Sequence, residues 1–203
     1  MEISSNDKIQ KRKRPKKMIL GIFLILSVFI PFHIYSKHLE PNWIEIKRYE
    51  NHHPLIPEEF NGFKIVQFSD THLGFHFPMD RMRRIVEDIN KEKPDIIIFS
   101  GDLVDDFSLF TETNETIHLL SSLKAPYGKF AVYGNHDHGS RGTEKYKSIM
   151  ERAGFRLLVN DRAFIQRNNS QIAVSGIDDY LLGYVDIQAT LAGIPKDTYT
   201  IFI

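Results

Sequence analysis

Asp70-Thr71-His72, Gly101-Asp102 and Gly134-Asn135-His136-Asp137-His138 are the stretches of this chain whose residue types and spacing could do chemistry. Each follows a run of strand-like apolar residues. Together they offer carboxylate, imidazole and amide donors of the kind that hold hard or borderline divalent cations. Donors gathered from several strand ends suit metal-assisted hydrolysis of a phosphate ester. Asp70 and His72 are two apart, so extended backbone would turn both side chains the same way. Gly101 and Gly134 let a metal or phosphate approach the backbone closely. Taken singly the signals are weak, because Asp-x-His is common and Gly, Asn and Asp all favour turns. All three in order, each after a strand, are not explained by turns alone.

The elements that must position these residues are legible from periodicity. Phe63 to Ser69 reads as a buried strand ending at Asp70. Residues 79–91 have helical spacing at Met82, Ile85, Val86 and Ile89, with Asp80 as a cap and Pro94 as a stop. Asp95 to Ser100 is continuously apolar, as in a parallel strand covered on both faces. A helix over 113–123, a strand over 128–133 and a helix over 144–153 complete a β-α-β-α-β-α order, which predicts right-handed crossovers and a parallel sheet. After Gly154 the runs 155–159, 162–166 and 171–175 are separated by short polar turns and read as antiparallel strands. A short helix over 186–192 and a strand from Tyr199 follow. Trp43 to Tyr49 alternates apolar and polar residues and reads as a lead-in strand.

The 203 residues suffice for one ordinary domain with a real core. The formal net charge is zero, but seven Lys/Arg crowd residues 1–17, and the remainder holds 19 basic against 24 acidic side chains. An acidic body makes a nucleic-acid partner unexpected. The chain has no cysteine, which excludes disulfides, thiolate metal sites and cysteine nucleophiles. Behind the basic cluster, Met18 to Phe32 carries no charge. It is slightly short for a spanning helix, but flanking lysines, Tyr35 and Trp43 can extend it to both interfaces. No small-x-small cleavage site follows, so the segment reads as an uncleaved signal anchor. The expected organisation is a cytoplasmic basic segment over 1–17, a transmembrane anchor over 18–36, a linker with its lead-in strand over 37–60, and a catalytic domain over 61–203. The cations place the N-terminus in the cytoplasm and the domain outside, in a single-pass protein of the cell membrane.

Phe68-Ser-Asp-Thr-His72, Ser100-Gly-Asp-Leu-Val104 and Tyr133-Gly-Asn-His-Asp-His138 resemble the first three motifs of the calcineurin-like metallophosphoesterases. The resemblance implies an α/β fold, the N-terminal part of a four-layer α/β/β/α sandwich. It implies two divalent ions of the Mn, Fe or Zn kind, with Asp70, His72, Asp102 and Asn135 as ligands. By the same resemblance His136 would stabilise phosphoryl oxygens or protonate the leaving group, and Asp137 would orient His136 through a hydrogen bond. The implied activity is hydrolysis of a phosphate ester or pyrophosphate by a water activated between the ions, and the membrane position suggests a lipid-linked or cell-envelope substrate. The family continues with a His-x-Pro-like motif and a Gly-His-x-His motif, whose three histidines complete the metal shells. Ile203 falls short of them, so the domain is expected to be incomplete at its C-terminus. The alternative function is therefore a catalytically inactive, membrane-anchored remnant. His38, His52, His53, His76 and His118 match no motif, His138 is a candidate to line the site, and Asp178-Asp179 reads as a turn.

Overall fold

A computed structural model of the protein describes residues 14–40 and 43–203, in two units that meet between Arg48 and Tyr49. The first unit is dominated by helix α1, Arg14–Ile34, which continues into a π-helical turn, Tyr35–Leu39. Met18–Lys37 is long and apolar enough to cross a membrane, and none of it is buried against protein. Pro31 lies inside the helix, where it removes one backbone donor. The basic segment read over 1–17 lies outside the described residues, except for the helical backbone from Arg14. Residues 43–49 form no strand, contrary to the alternation of their side chains. Trp43 and Tyr49 stand exposed, and without a neighbouring strand to pair with, alternation alone does not make a ladder.

The second unit is mixed α/β. A parallel sheet has the order β1 (Ile65–Phe68), β2 (Ile96–Phe99), β3 (Lys129–Ala131), β4 (Arg156–Leu157). Helices α2 (Met79–Glu92), α3 (Thr113–Ser121) and α5 (Thr143–Arg152) connect the strands, with the single turn α4 (Asn135–His138) just after β3. A second sheet pairs β5 (Asp161–Arg167) antiparallel with β6 (Ser170–Gly176), and β6 parallel with β7 (Thr200–Phe202). The short helix α6 (Ile187–Leu191) lies between β6 and β7. The run at 155–159 is thus a fourth parallel strand and not the first of an antiparallel group. Its partner is β3, because helix α5 returns the chain to the sheet edge before the hairpin begins.

All four residues of β2 are buried, as its unbroken apolar run requires. Its side chains divide between two cores. Ile97 and Phe99, with Ala131 of β3, pack against Met82, Val86, Leu120, Tyr146 and Ile149 of the helices. Ile96 and Ile98, with Phe130 and Val132, pack against Ala163, Ile165, Ile172 and Val174 of the second sheet. Each such burial contributes roughly 1.5–3 kcal/mol. The parallel sheet thus packs against helices through one set of its side chains and against the second sheet through the other, and the C-terminal ends of β1, β2 and β3 are held in one row.

Candidate metal centre

The first two motifs are aligned by an extension of the β1–β2 pairing beyond the strands. The Asp70 N–H donates to Gly101 O at 3.0 Å, His72 N–H to Asp102 O at 3.1 Å and Leu73 N–H to Leu103 O at 2.8 Å. The buried Thr71 hydroxyl also donates to Leu103 O. Asp70, His72 and Asp102 all adopt left-handed backbone, with φ of 54°, 42° and 60°. Such conformations cost of order 1 kcal/mol each for non-glycine residues and cluster at functional sites. The third motif is brought against the second by two glycines. A Cβ on Gly101, whose φ is 88°, would strike the backbone of Gly134, and one on Gly134 would strike the Asp102 carboxylate. Only residues without a side chain let these two loops touch.

The result is a group of three donors. His72, Asp102 and His136 each offer a ligand atom within 4.8 Å of the others. His72 Nε2 stands 3.7 Å from Asp102 Oδ2 and 3.9 Å from Asp70 Oδ1. The rings of His72 and His136 meet edge to face at 4.5 Å. Asp70 joins the group from its exposed side, with its side chain 68% accessible. Asn135 opens α4, one residue before His136. His72 Nδ1 is buried and has no hydrogen-bond partner. Two imidazoles and two carboxylates gathered this closely, with His72 Nε2 the nitrogen that faces Asp70 and Asp102, fit a divalent cation of the N/O-preferring kind.

His136 is held by two bonds. Its N–H donates to Asp102 Oδ1 at 2.9 Å, and its Nδ1 lies 2.8 Å from the Asp105 carbonyl oxygen. That hydrogen bond, with the nearby carboxylates of Asp102 and Asp105, raises its pKa and favours the cation. The ring is thus bonded to the Asp105 carbonyl, and Asp137, which the resemblance makes the orienting residue, accepts from backbone N–H groups. Asp105 Oδ1 also stands 3.8 Å from the Nδ1 atoms of both His72 and His136. It was missed because it follows an apolar dipeptide and not a glycine, although Gly101-Asp-Leu-Val-Asp105 carried the signal of a second acid on the same loop.

Asp137 does something else. It is fully buried, and its carboxylate accepts from the backbone N–H groups of Asp102 at 2.7 Å, Leu103 at 3.0 Å and Gly134 at 2.9 Å. It stitches the second motif to the third. Burial pushes its pKa up to about 6, against the pull of those three donors.

His138 turns away from the donor group. Its Nε2 lies 2.7 Å from Asp178 Oδ1 and its Nδ1 3.2 Å from the Thr143 hydroxyl, while the ring stacks on Tyr133 at 4.4 Å. Asp178 is 8% exposed and is not merely part of a turn. Burial would raise its pKa, but the Tyr184 N–H, His138 and the Asp179 N–H hold it below the ordinary carboxylate value. These residues, with Glu144, Lys147 and Glu151, border a cavity of about 460 Å³. Tyr133 also lines it, and burial pushes this phenol up to about 12.

Comparison with known proteins bears on the same residues. The calcineurin-like phosphoesterase family matches residues 63–194. The uncharacterized metallophosphoesterase YkuE of Bacillus subtilis is 39% identical over 170 residues, 83% of this chain and 59% of that protein. The UDP-2,3-diacylglucosamine pyrophosphatase LpxG of Chlamydia trachomatis is 36% identical over 117 residues, 57% of this chain and 35% of its own. A transmembrane protein with metallophosphoesterase domain from Danio rerio is 31% identical over 127 residues, 61% of this chain and 29% of its own. The chain therefore spans between about a third and three fifths of the length of these relatives.

Proposed function

This chain belongs to the calcineurin-like phosphoesterase family, and we propose that it serves metal-dependent hydrolysis of a phosphate ester or pyrophosphate, presented by a lipid or another component of the cell envelope. The observation that carries the reading is the convergence of His72, Asp102 and His136, with Asp70 beside them. Asp70, His72, Asp102 and Asn135 would hold two divalent ions. Those ions, when bound, would acidify a water and polarise the phosphoryl group.

The chain's own groups supply the rest. His136 would stand over the phosphoryl oxygens as a cation and pass a proton to the leaving group. The Asp105 carbonyl accepts from its Nδ1, so Nε2 is the nitrogen left to give that proton. Asp102 orients His136 through its N–H, and Asp137 keeps both loops in register without meeting substrate. The membrane role rests on α1, preceded by seven Lys/Arg side chains. It would be a signal anchor with a cytoplasmic N-terminus and the domain outside. A lipid-linked substrate suits that position and accords with the name of the chlamydial relative.

Hydrolysis of bis-p-nitrophenyl phosphate with and without manganese tests the reading, with manganese electron paramagnetic resonance reporting binding separately. Turnover that requires manganese and disappears in Asp102→Asn is the expected result. Binding without turnover would support a metal-binding membrane protein with no hydrolytic role. That second reading is favoured by one observation: among the described residues the His/Asp/Glu donors gather around a single point. No binding at all would end both readings.

A further inference from the structure

The loop between β6 and α6 is built inside out. Tyr180, Leu181, Leu182 and Tyr184 are 84%, 71%, 59% and 75% exposed. Its acids face inward instead. Asp179 Oδ2 accepts from the N–H groups of Leu181 and Leu182, Asp178 accepts from those of Asp179 and Tyr184, and the Gly183 N–H donates to Asp179 O. From the neighbouring strand end, Asn160 donates to Tyr184 O and accepts from the N–H groups of Asp178 and Asp186. A Cβ on Gly183 would collide with the Asp178 carboxylate, so the turn closes tightly around it. A loop held this firmly does not expose apolar side chains through looseness. The N–H groups of Leu181, Leu182, Gly183 and Tyr184 are satisfied internally, which lowers the cost of leaving water.

Its position adds a second observation. The His138–Asp178 contact places this loop beside the C-terminal end of β3, at the end of the domain that carries the donor group. Among the described residues from Tyr49 onward, six large apolar side chains are more than 70% exposed: Tyr49, Phe75, Leu109, Tyr180, Leu181 and Tyr184. Phe75 lies on the loop that leaves β1 and Leu109 on the loop that leaves β2. All but Tyr49 thus lie on loops that follow strands, and the loops after β1 and β2 are those that carry Asp70, His72 and Asp102.

We propose that this rim, with Tyr180 to Tyr184 as its foremost part, is a lipid-contacting surface that presents the mouth of the site to the membrane. The inference rests on the reading of α1 as a membrane anchor. Nine residues, Glu40 to Arg48, separate the end of the π-helical turn from Tyr49. Even fully extended they reach about 30 Å, so a domain so tethered stays near the lipid surface. Tyr and Leu together suit the interface between headgroups and acyl chains. With Asp178, Asp179 and Asp186 turned onto backbone N–H groups, contact needs no anionic headgroup. A substrate would then reach the site from the bilayer and not from bulk water.

The absence of cysteine makes the test clean. Leu181→Cys and Asn169→Cys, the latter on the β5–β6 turn at the opposite end of β6, are each labelled with an environment-sensitive dye. The full chain is reconstituted in phosphatidylcholine vesicles with brominated acyl chains. The expected result is a blue-shifted label at position 181 that bromine quenches, and a label at 169 that is neither shifted nor quenched. Co-flotation with an unshifted label at 181 overturns the rim and leaves the anchor standing. A blue shift without bromine quenching overturns it in favour of a protein cover, either a second copy or another segment. Failure to co-float overturns the anchor, and the rim with it.

Discussion

The loops around Asp137 and around Asp178 and Asp179 are held by the same kind of bond and present opposite surfaces. In both, carboxylates accept from several backbone N–H groups and fix a tight turn at a strand end. Around Asp137 the turn fixes the Asp102 loop, beside which Asp70 and His72 also adopt left-handed backbone, and polar donors point at one another. Around Asp178 and Asp179 the polar groups are consumed inside, and Tyr180, Leu181, Leu182 and Tyr184 are left outside. A buried carboxylate thus specifies the path of the chain and leaves the character of the surface to its neighbours. His138, bonded to Asp178 from the last position of α4, joins the two loops.

Removing the Asp137 carboxylate should have the largest effect. Asp137→Ala leaves three N–H groups without their acceptor, and at about 1–1.5 kcal/mol apiece once the loops relax the loss is roughly 3–5 kcal/mol in urea unfolding. Asp137→Asn separates charge from shape. The folded pKa is raised to about 6 from the ordinary 3.8 by burial. A raised carboxyl contributes stability that is present below the unfolded pKa and lost as pH rises through the folded one. Stability of the native chain should therefore fall relative to Asp137→Asn between about pH 4 and pH 7, by at most ~3 kcal/mol. A flat difference across that range would mean that the three donors outweigh burial and keep the group ionised.

Asp102→Asn should come next. It keeps an acceptor for the His136 N–H but removes a charge from the donor group. Manganese affinity should fall on the order of 100-fold, with little change in unfolding. His136→Asn sharpens the same point. Retained manganese binding with lost turnover supports the role of acid, whereas lost binding would move His136 into the ligand set with His72 and Asp102.

Much of this was legible in the sequence, and unevenly. The continuous apolar run at 95–100 and the periodic helix at 79–91 predicted β2 and α2, because their burial pattern is imposed by period alone. The run at 155–159 did not disclose its partner, since two residues of pairing are decided by where α5 delivers the chain. The motif residues Asp70, His72, Asp102 and His136 were named from spacing, and the structure gathers them. The partners of His136 and His138 were not, because a hydrogen bond to a loop carbonyl 31 residues away, or to an acid 40 residues away, leaves no local pattern. Asp178-Asp179 looked like a turn and is one, but its acids are spent holding it.

Asp178→Ala should have a smaller effect than Asp137→Ala, although Asp178 also anchors a loop. Two backbone N–H groups and His138 lose an acceptor, but water reaches this loop and can replace part of the loss, so about 1–2 kcal/mol is expected. Amide exchange at residues 181–184 should quicken before the site loops change. His138→Gln, whose amide can still donate towards Asp178, should keep most of the protection.

The smallest change in stability should come from Leu181→Ser. The side chain is 71% exposed, and substitutions at such positions stay within about 0.5 kcal/mol. The contrast with Asp178→Ala isolates what the loop displays from what holds it. If the display serves a lipid surface, Leu181→Ser should leave unfolding and manganese affinity in detergent unchanged. In vesicles it should weaken bromine quenching of a label at Tyr184→Cys. If unfolding stability instead drops by as much as in Asp178→Ala, Leu181 is packed against something that supports the fold. The two loops would then differ in strength only, and the contrast between their surfaces would collapse.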